Sequence, residues 1–168
     1  VKFFIEQIAL CPPNPAKAIA FLKELGLTEW AHDVVVATGS VRGEGPVTNR
    51  ALLAFNYQAT RGVSEDGVFY PEPKPLELEV LHYVEGRNWM DTNVPSVSHL
   101  GMHCSAEELT MWTAKFEELG IRWAQNVETK SHTNPVIAGK RSYNYRIFET
   151  RHILGVDLKF IVRRNIGE

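Results

Sequence analysis

The chain has 168 residues, 44% hydrophobic and 23% charged, with a formal net charge of −2. That is enough chain for one well-buried domain or two small modules sharing an interface. The charge gives no electrostatic reason for nucleic acid or an anionic membrane as partner, and no apolar run approaches the roughly 18–20 residues of a membrane span.

In chain order, residues 2–11 read as a Phe-rich, β-branched strand. The chain moves into it directly, with no signal-peptide pattern, so the expected location is the cytoplasm. Asn14-Pro15 supplies an N-cap followed by proline at the first helical position, where a missing N–H costs nothing. Ala18, Ile19, Leu22 and Leu25 repeat at helical spacing, and Gly26 stops the helix. Strand-like segments follow around 33–41, 50–58 and 76–84. Residues 59–75 are rich in Gly, Pro and charge and read as an inserted loop. Residues 86–96 read as a linker.

The second half repeats this order. Residues 98–104 form a strand carrying His99, and Ser105-Ala106-Glu107-Glu108 is a capping-box pattern. Leu109, Trp112, Phe116 and Leu119 form an apolar stripe closed by Gly120. Strands are expected near 121–129, 142–150 and 156–163, with a polar loop over 130–141. The correspondence is visible in the residues themselves. Gln7-Ile8-Ala9-Leu10 matches His99-Leu100-Gly101-Met102, Glu24-Leu25-Gly26-Leu27 matches Glu118-Leu119-Gly120-Ile121, and Leu78-Glu79-Val80-Leu81 matches Leu158-Lys159-Phe160-Ile161. Each helix stop is followed closely by Trp-Ala, at Trp30-Ala31 and Trp123-Ala124. The expected architecture is α+β: two βαβββ modules, residues 1–85 and 97–168, within one structural domain. One such module leaves a sheet face uncovered, so two joined modules form a curved mixed sheet with a central trough suited to a ligand. Cys11 and Cys104 are too few for a disulfide framework and are expected as reduced, packed thiols.

The paired βαβββ order, the His-aliphatic-small-aliphatic opening of the second module and the glycine before the last strand resemble the vicinal oxygen chelate superfamily. It includes glyoxalase I, extradiol dioxygenases, methylmalonyl-CoA epimerase and the bleomycin-resistance proteins. The resemblance covers nearly the whole chain apart from residues 59–75. It implies a small-molecule-acting protein, a divalent-metal-dependent lyase, isomerase or dioxygenase-type enzyme that chelates vicinal oxygens of a small substrate. It also implies a homodimer. The alternative within the same resemblance is a metal-free sequestering protein of the bleomycin-resistance type.

In that superfamily the first and last strands of each module supply the metal ligands, and the matching positions here are Gln7, Glu79, His99 and Lys159. Imidazole, carboxylate and amide oxygen can bind Fe, Mn, Ni or Zn, so His99, Glu79 and Gln7 are the candidate metal ligands. Lys159 departs from the pattern, because an ammonium has no lone pair. It pairs with Glu79 in place of a metal, anchors an anionic substrate, or snorkels out of the trough. Lys159 and Glu79 are the candidate catalytic residues, with a lysine base replacing the carboxylate base of glyoxalase I. Glu77 shares a face with Glu79 and matches Asp157, which leaves open an acidic cluster displaced by one step. His103, Tyr143, Tyr145, Arg146 and Arg141 are the candidate substrate-binding residues.

Overall fold

A computed structural model describes residues 2–60, 75–90 and 95–167. Most of the expected 59–75 loop and part of the 86–96 linker therefore lie outside the described residues. The chain runs β1 (Gln7–Cys11), α1 (Pro15–Glu24), β2 (Ala31–Val41), β3 (Glu44–Asn56), β4 (Glu77–Gly86), β5 (Ser96–His103), α2 (Ala106–Glu118), β6 (Trp123–Ser131), β7 (Arg141–Phe148), α3 (Arg151–Leu154) and β8 (Asp157–Asn165). Local chemistry sets the helix ends. Asn14 Oδ1 accepts from the Lys17 N–H at 3.0 Å, with Pro15 as the first helical residue. Ser105 and Glu108 close a reciprocal capping box, satisfying two backbone donors that the helix itself cannot.

The strands form one sheet in the order β1-β4-β3-β2-β6-β7-β8-β5, closed into a barrel. Its register shows the internal repeat as a pseudo-two-fold. Where β1 meets β5 antiparallel, Gln7 pairs with Gly101 and Ala9 with His99, so each residue faces the counterpart of its neighbour's match. The parallel pairs repeat this: Ala9 lies beside Glu79, and Gly101 beside Lys159. The second seam is β2 with β6, again antiparallel, with Val35 opposite Ser131 and Thr38 opposite Glu128. This seam turns the expected trough into an enclosed interior. Both seams lie within one chain, so each module supplies the other with its missing edges.

Two layers of apolar side chains follow from strand alternation. Inside the barrel, Ala37, Ala51, Leu81, Val127, Ile147 and Ile161 pack with Tyr83, Tyr145 and Trp89. Outside, Leu109 and Phe116 of α2 cover Met102, Phe148, Leu158 and Phe160, with the Phe116 and Phe148 rings stacked 4.2 Å apart. The modules differ here, for α1 has no buried residue. Cys11 is buried and Cys104 half-buried. Among the described residues, no helix is long and apolar enough to cross a membrane.

Candidate functional site

The barrel encloses a cavity of about 310 Å³. At one end Trp89, just after β4, packs against the interior residues Tyr83 and Tyr145. Trp89 is buried there, donating from Nε1 to Tyr83 Oη at 3.2 Å, while its backbone N–H donates to Gln125 Oε1 at 3.0 Å. Gln125 Nε2 donates to Tyr145 Oη at 2.7 Å. Arg42 donates to the Trp89 carbonyl at 2.8 Å. The other end is lined by Tyr57, His103, Arg141 and the loop residues Asn134, Val136 and Ile137, and Val136 and Tyr57 are well exposed.

Between these ends lies a polar cluster built by both modules. Ala9, Glu79 and His99 share one rung of the sheet; Gln7, Glu77, Gly101 and Lys159 occupy the next rung toward the mouth. Alternation turns Gln7, Glu77, Glu79, His99 and Lys159 inward. Gly101 makes room: a Cβ there would meet Gln7 Oε1 at 2.9 Å and Gln7 Cβ at 3.0 Å, so only glycine lets the glutamine side chain cross β5.

Hydrogen bonds fix the orientation of Glu77, Gln7 and His99. Tyr57 Oη donates to Glu77 Oε2 at 2.6 Å, and Gln7 Nε2 donates to Glu77 Oε1. The Gln7 carbonyl oxygen therefore faces His99, whose Nε2 lies 2.8 Å away. An amide oxygen only accepts, so His99 carries its proton on Nε2. Its Nδ1 accepts from Ser98 Oγ at 3.0 Å. Glu79 Oε2 lies 3.2 Å from His99 Nε2, whose N–H is directed to Gln7, and 4.0 Å from Lys159 Nζ, an ion-pair separation too long for a hydrogen bond, so this buried oxygen lacks a hydrogen bond. The Lys159 ammonium also stands over the Tyr145 ring, 4.4 Å from its centroid.

Burial pushes the Glu79 carboxyl up, but Lys159 first and His99 second outweigh it, and the carboxyl is held below its ordinary value. Burial, reinforced by Lys159, holds the His99 imidazole below its ordinary value against the opposing pull of Glu79. The resting state is an anionic Glu79, a neutral His99 and the Lys159 ammonium. Deeper in, burial raises Tyr83 to about 12, which keeps it a phenol.

A divalent metal is tested by the donor set. The His99 nitrogen nearest Glu79 bears a hydrogen, its lone-pair nitrogen is turned to Ser98, and Gln7 Oε1 is already accepting. The fourth position holds a cation 4.0 Å from the remaining oxygen. Among the described residues no group of three or more His, Cys, Asp or Glu side chains is arranged for a metal. The arrangement does not fit a divalent cation held by His99, Glu79 and Gln7, because Lys159 supplies the positive charge there.

Tyr143, Tyr145, His103 and Arg141 all line the cavity. Arg146 does not. Being one residue from Tyr145 on a strand, it faces outward, where Nη1 donates to Thr113 Oγ1 of α2 at 2.6 Å and the guanidinium lies 5.9 Å from the Trp123 ring centroid. Asp157 is the register partner of His99 but does not line the cavity: it accepts from the Arg151 backbone N–H at 2.9 Å and from its guanidinium at 3.3 Å, so it forms no displaced acidic cluster with Glu77. Asp33, Ser98, Gln125 and Trp89 had no sequence signal beyond residue type.

No family model matches the chain, and no curated protein matches its sequence. Solved structures do. Two variants of Streptomyces coelicolor methylmalonyl-CoA epimerase in complex with 2-nitronate-propionyl-CoA superimpose with TM-scores of 0.52 and 0.54 at 14% and 13% identity. They cover 94% and 96% of this chain and 95% of each of theirs. A methylmalonyl-CoA epimerase in complex with methylmalonyl-CoA and NH4+ gives a TM-score of 0.52 at 14% identity, over 94% of this chain and 92% of that one. The chain has the glyoxalase-like fold. At this identity the likeness establishes the fold alone.

Proposed function

We propose that the barrel interior is a small-molecule site and that the chain is an isomerase-type enzyme moving a proton at a carbon beside a carbonyl. The observation that carries this is the buried Glu79 carboxylate, with one oxygen lacking a hydrogen bond, beside a Lys159 ammonium on the wall of the cavity. The epimerases that share the fold act on an acyl-CoA, which supports a carbonyl compound as the substrate class. In the resting state Lys159 weakens Glu79 as a base. A carbonyl oxygen that draws the ammonium to itself removes that restraint, and burial, the largest influence on Glu79, then strengthens the base. Glu79 takes the proton as the C–H bond breaks, the electron pair moves onto the carbonyl oxygen, and Lys159 stabilises the resulting oxyanion. Return of the proton to either face or to the neighbouring carbon completes an epimerisation or isomerisation, with no oxidant and no net proton change.

A second reading is a metal-free binding protein without chemistry, and the mutual neutralisation of Glu79 and Lys159 favours it. Solvent exchange separates the two. Native protein and Glu79→Gln are incubated in D2O with methylmalonyl-CoA and a panel of compact ketones and 2-oxo acids, and deuterium uptake is followed by NMR. Uptake catalysed by the native chain and lost in the variant supports the enzyme. Ligand binding by both with uptake by neither supports the binding protein.

A further inference from the structure

Asp33 has no part in the proton chemistry above, and its environment poses a separate question. β2 turns it inward near the mouth, and it is 3% exposed. Its Oδ1 is heavily used: it accepts from Ser131 Oγ at 2.9 Å, Thr133 N at 3.2 Å, Thr133 Oγ1 at 3.3 Å and Asn134 N at 3.1 Å. These bonds pin the start of the loop that borders the cavity. Its Oδ2 is buried with no hydrogen-bond partner. Every donor to Asp33 is neutral, and no Lys, Arg or His forms an ion pair with it among the described residues.

Holding the loop does not require a carboxylate. An asparagine would present the same Oδ1 acceptor, and what the carboxyl group adds is a second oxygen whose burial without a partner is costly. The second oxygen has a use where a donor meets it, and a cationic donor recovers most of that cost. The lining also carries Phe55, Tyr57, Tyr143 and Ile137, an apolar and aromatic surface set beside the polar residues Arg141 and His103. From this geometry we infer that the cavity selects a ligand with an apolar, aromatic-sized body carrying an ammonium-type N–H group, which binds Asp33 Oδ2. This rests on the barrel interior being a small-molecule site and adds the class of molecule.

The test uses two probes of similar shape, 2-phenylethylammonium and 3-phenylpropanoate, on the full chain carrying 13C-labelled aspartate carboxyls, and on Asp33→Asn. The ammonium probe is expected to shift the Asp33 carboxyl resonance of the native protein. Its affinity should fall about tenfold or more in Asp33→Asn, the scale of one charge-assisted hydrogen bond, while the carboxylate probe gains or holds its affinity. Should Asp33→Asn not fold, as read by its thermal transition, the native carboxyl resonance decides alone. Ammonium binding that leaves this resonance unmoved, or that is equal in the variant, overturns the inference. So does preference of the native chain for 3-phenylpropanoate, which leaves the small-molecule site intact. Binding of neither probe overturns the inference and the site reading together.

Discussion

Replacing Lys159 by methionine keeps most of the side-chain stem and removes the charge that faces Glu79. The two groups are 4.0 Å apart, with side-chain exposures of 11% and 2%, so solvent screening is weak. With an effective dielectric of about 20, their attraction is about 4 kcal/mol. Breaking such a pair from one side costs about 3–5 kcal/mol. The loss has a ceiling, because the stranded carboxylate can escape by taking a proton. From an ordinary carboxyl pKa of about 4.3, that escape costs about 3.7 kcal/mol at pH 7 and about 1 kcal/mol at pH 5. In the native chain the Glu79 pKa is depressed, so its contribution is present above the ordinary carboxylate range and is lost as pH falls through the folded value. In Lys159→Met burial dominates, the direction reverses, and the destabilisation is relieved on acidification. Urea unfolding of the native chain, Lys159→Met, Glu79→Gln and the double variant is the assay. Expected is a loss of about 3 kcal/mol at pH 7, shrinking to about 1 kcal/mol at pH 5, with under about 1 kcal/mol lost in the Glu79→Gln background. A loss that does not change with pH, or one as large without Glu79, refutes the pairing.

Gly101→Ala is expected to destabilise by about 1–3 kcal/mol through overpacking against Gln7 and to move the His99 imidazole resonances; unchanged stability and spectra would show that Gln7 does not depend on this gap. The His99 ring is expected to remain neutral with its proton on Nε2 at pH 7 and below its ordinary pKa. Because the unfolded chain takes up this proton first, stability declines as pH falls below about 6.5, by up to about 1.4 kcal/mol per unit. Nitrogen-detected NMR across pH 5–8 checks both the tautomer and the direction; a proton on Nδ1, or a midpoint above the ordinary value, contradicts the hydrogen-bond chain.

Some of the site was legible because its signals are local or repeated. The matches Gln7 with His99 and Glu79 with Lys159 come from two stretches of sequence each, and the register of β1 with β5 and of the parallel pairs places those residues on adjacent rungs. Alternation is legible too, and along β7 it separates two of the expected wall residues: Tyr145 and Arg146 are neighbours, so the same wall cannot hold both. Asp157 matched Glu77 by position, yet α3 offers it Arg151, a partner that no periodicity announces.

By itself the sequence determined α1 and α2, the strand order within each module and the residues that the repeat makes equivalent. Caps, apolar spacing and duplicated segments are properties of nearby residues. The tertiary structure decided that β2 and β6 close the sheet, that the His99 lone pair turns to Ser98, and that Asp33 keeps a buried oxygen without a partner. Those outcomes depend on which distant edges pair and which polar atoms they bring within about 3 Å, and strand periodicity carries no such long-range information.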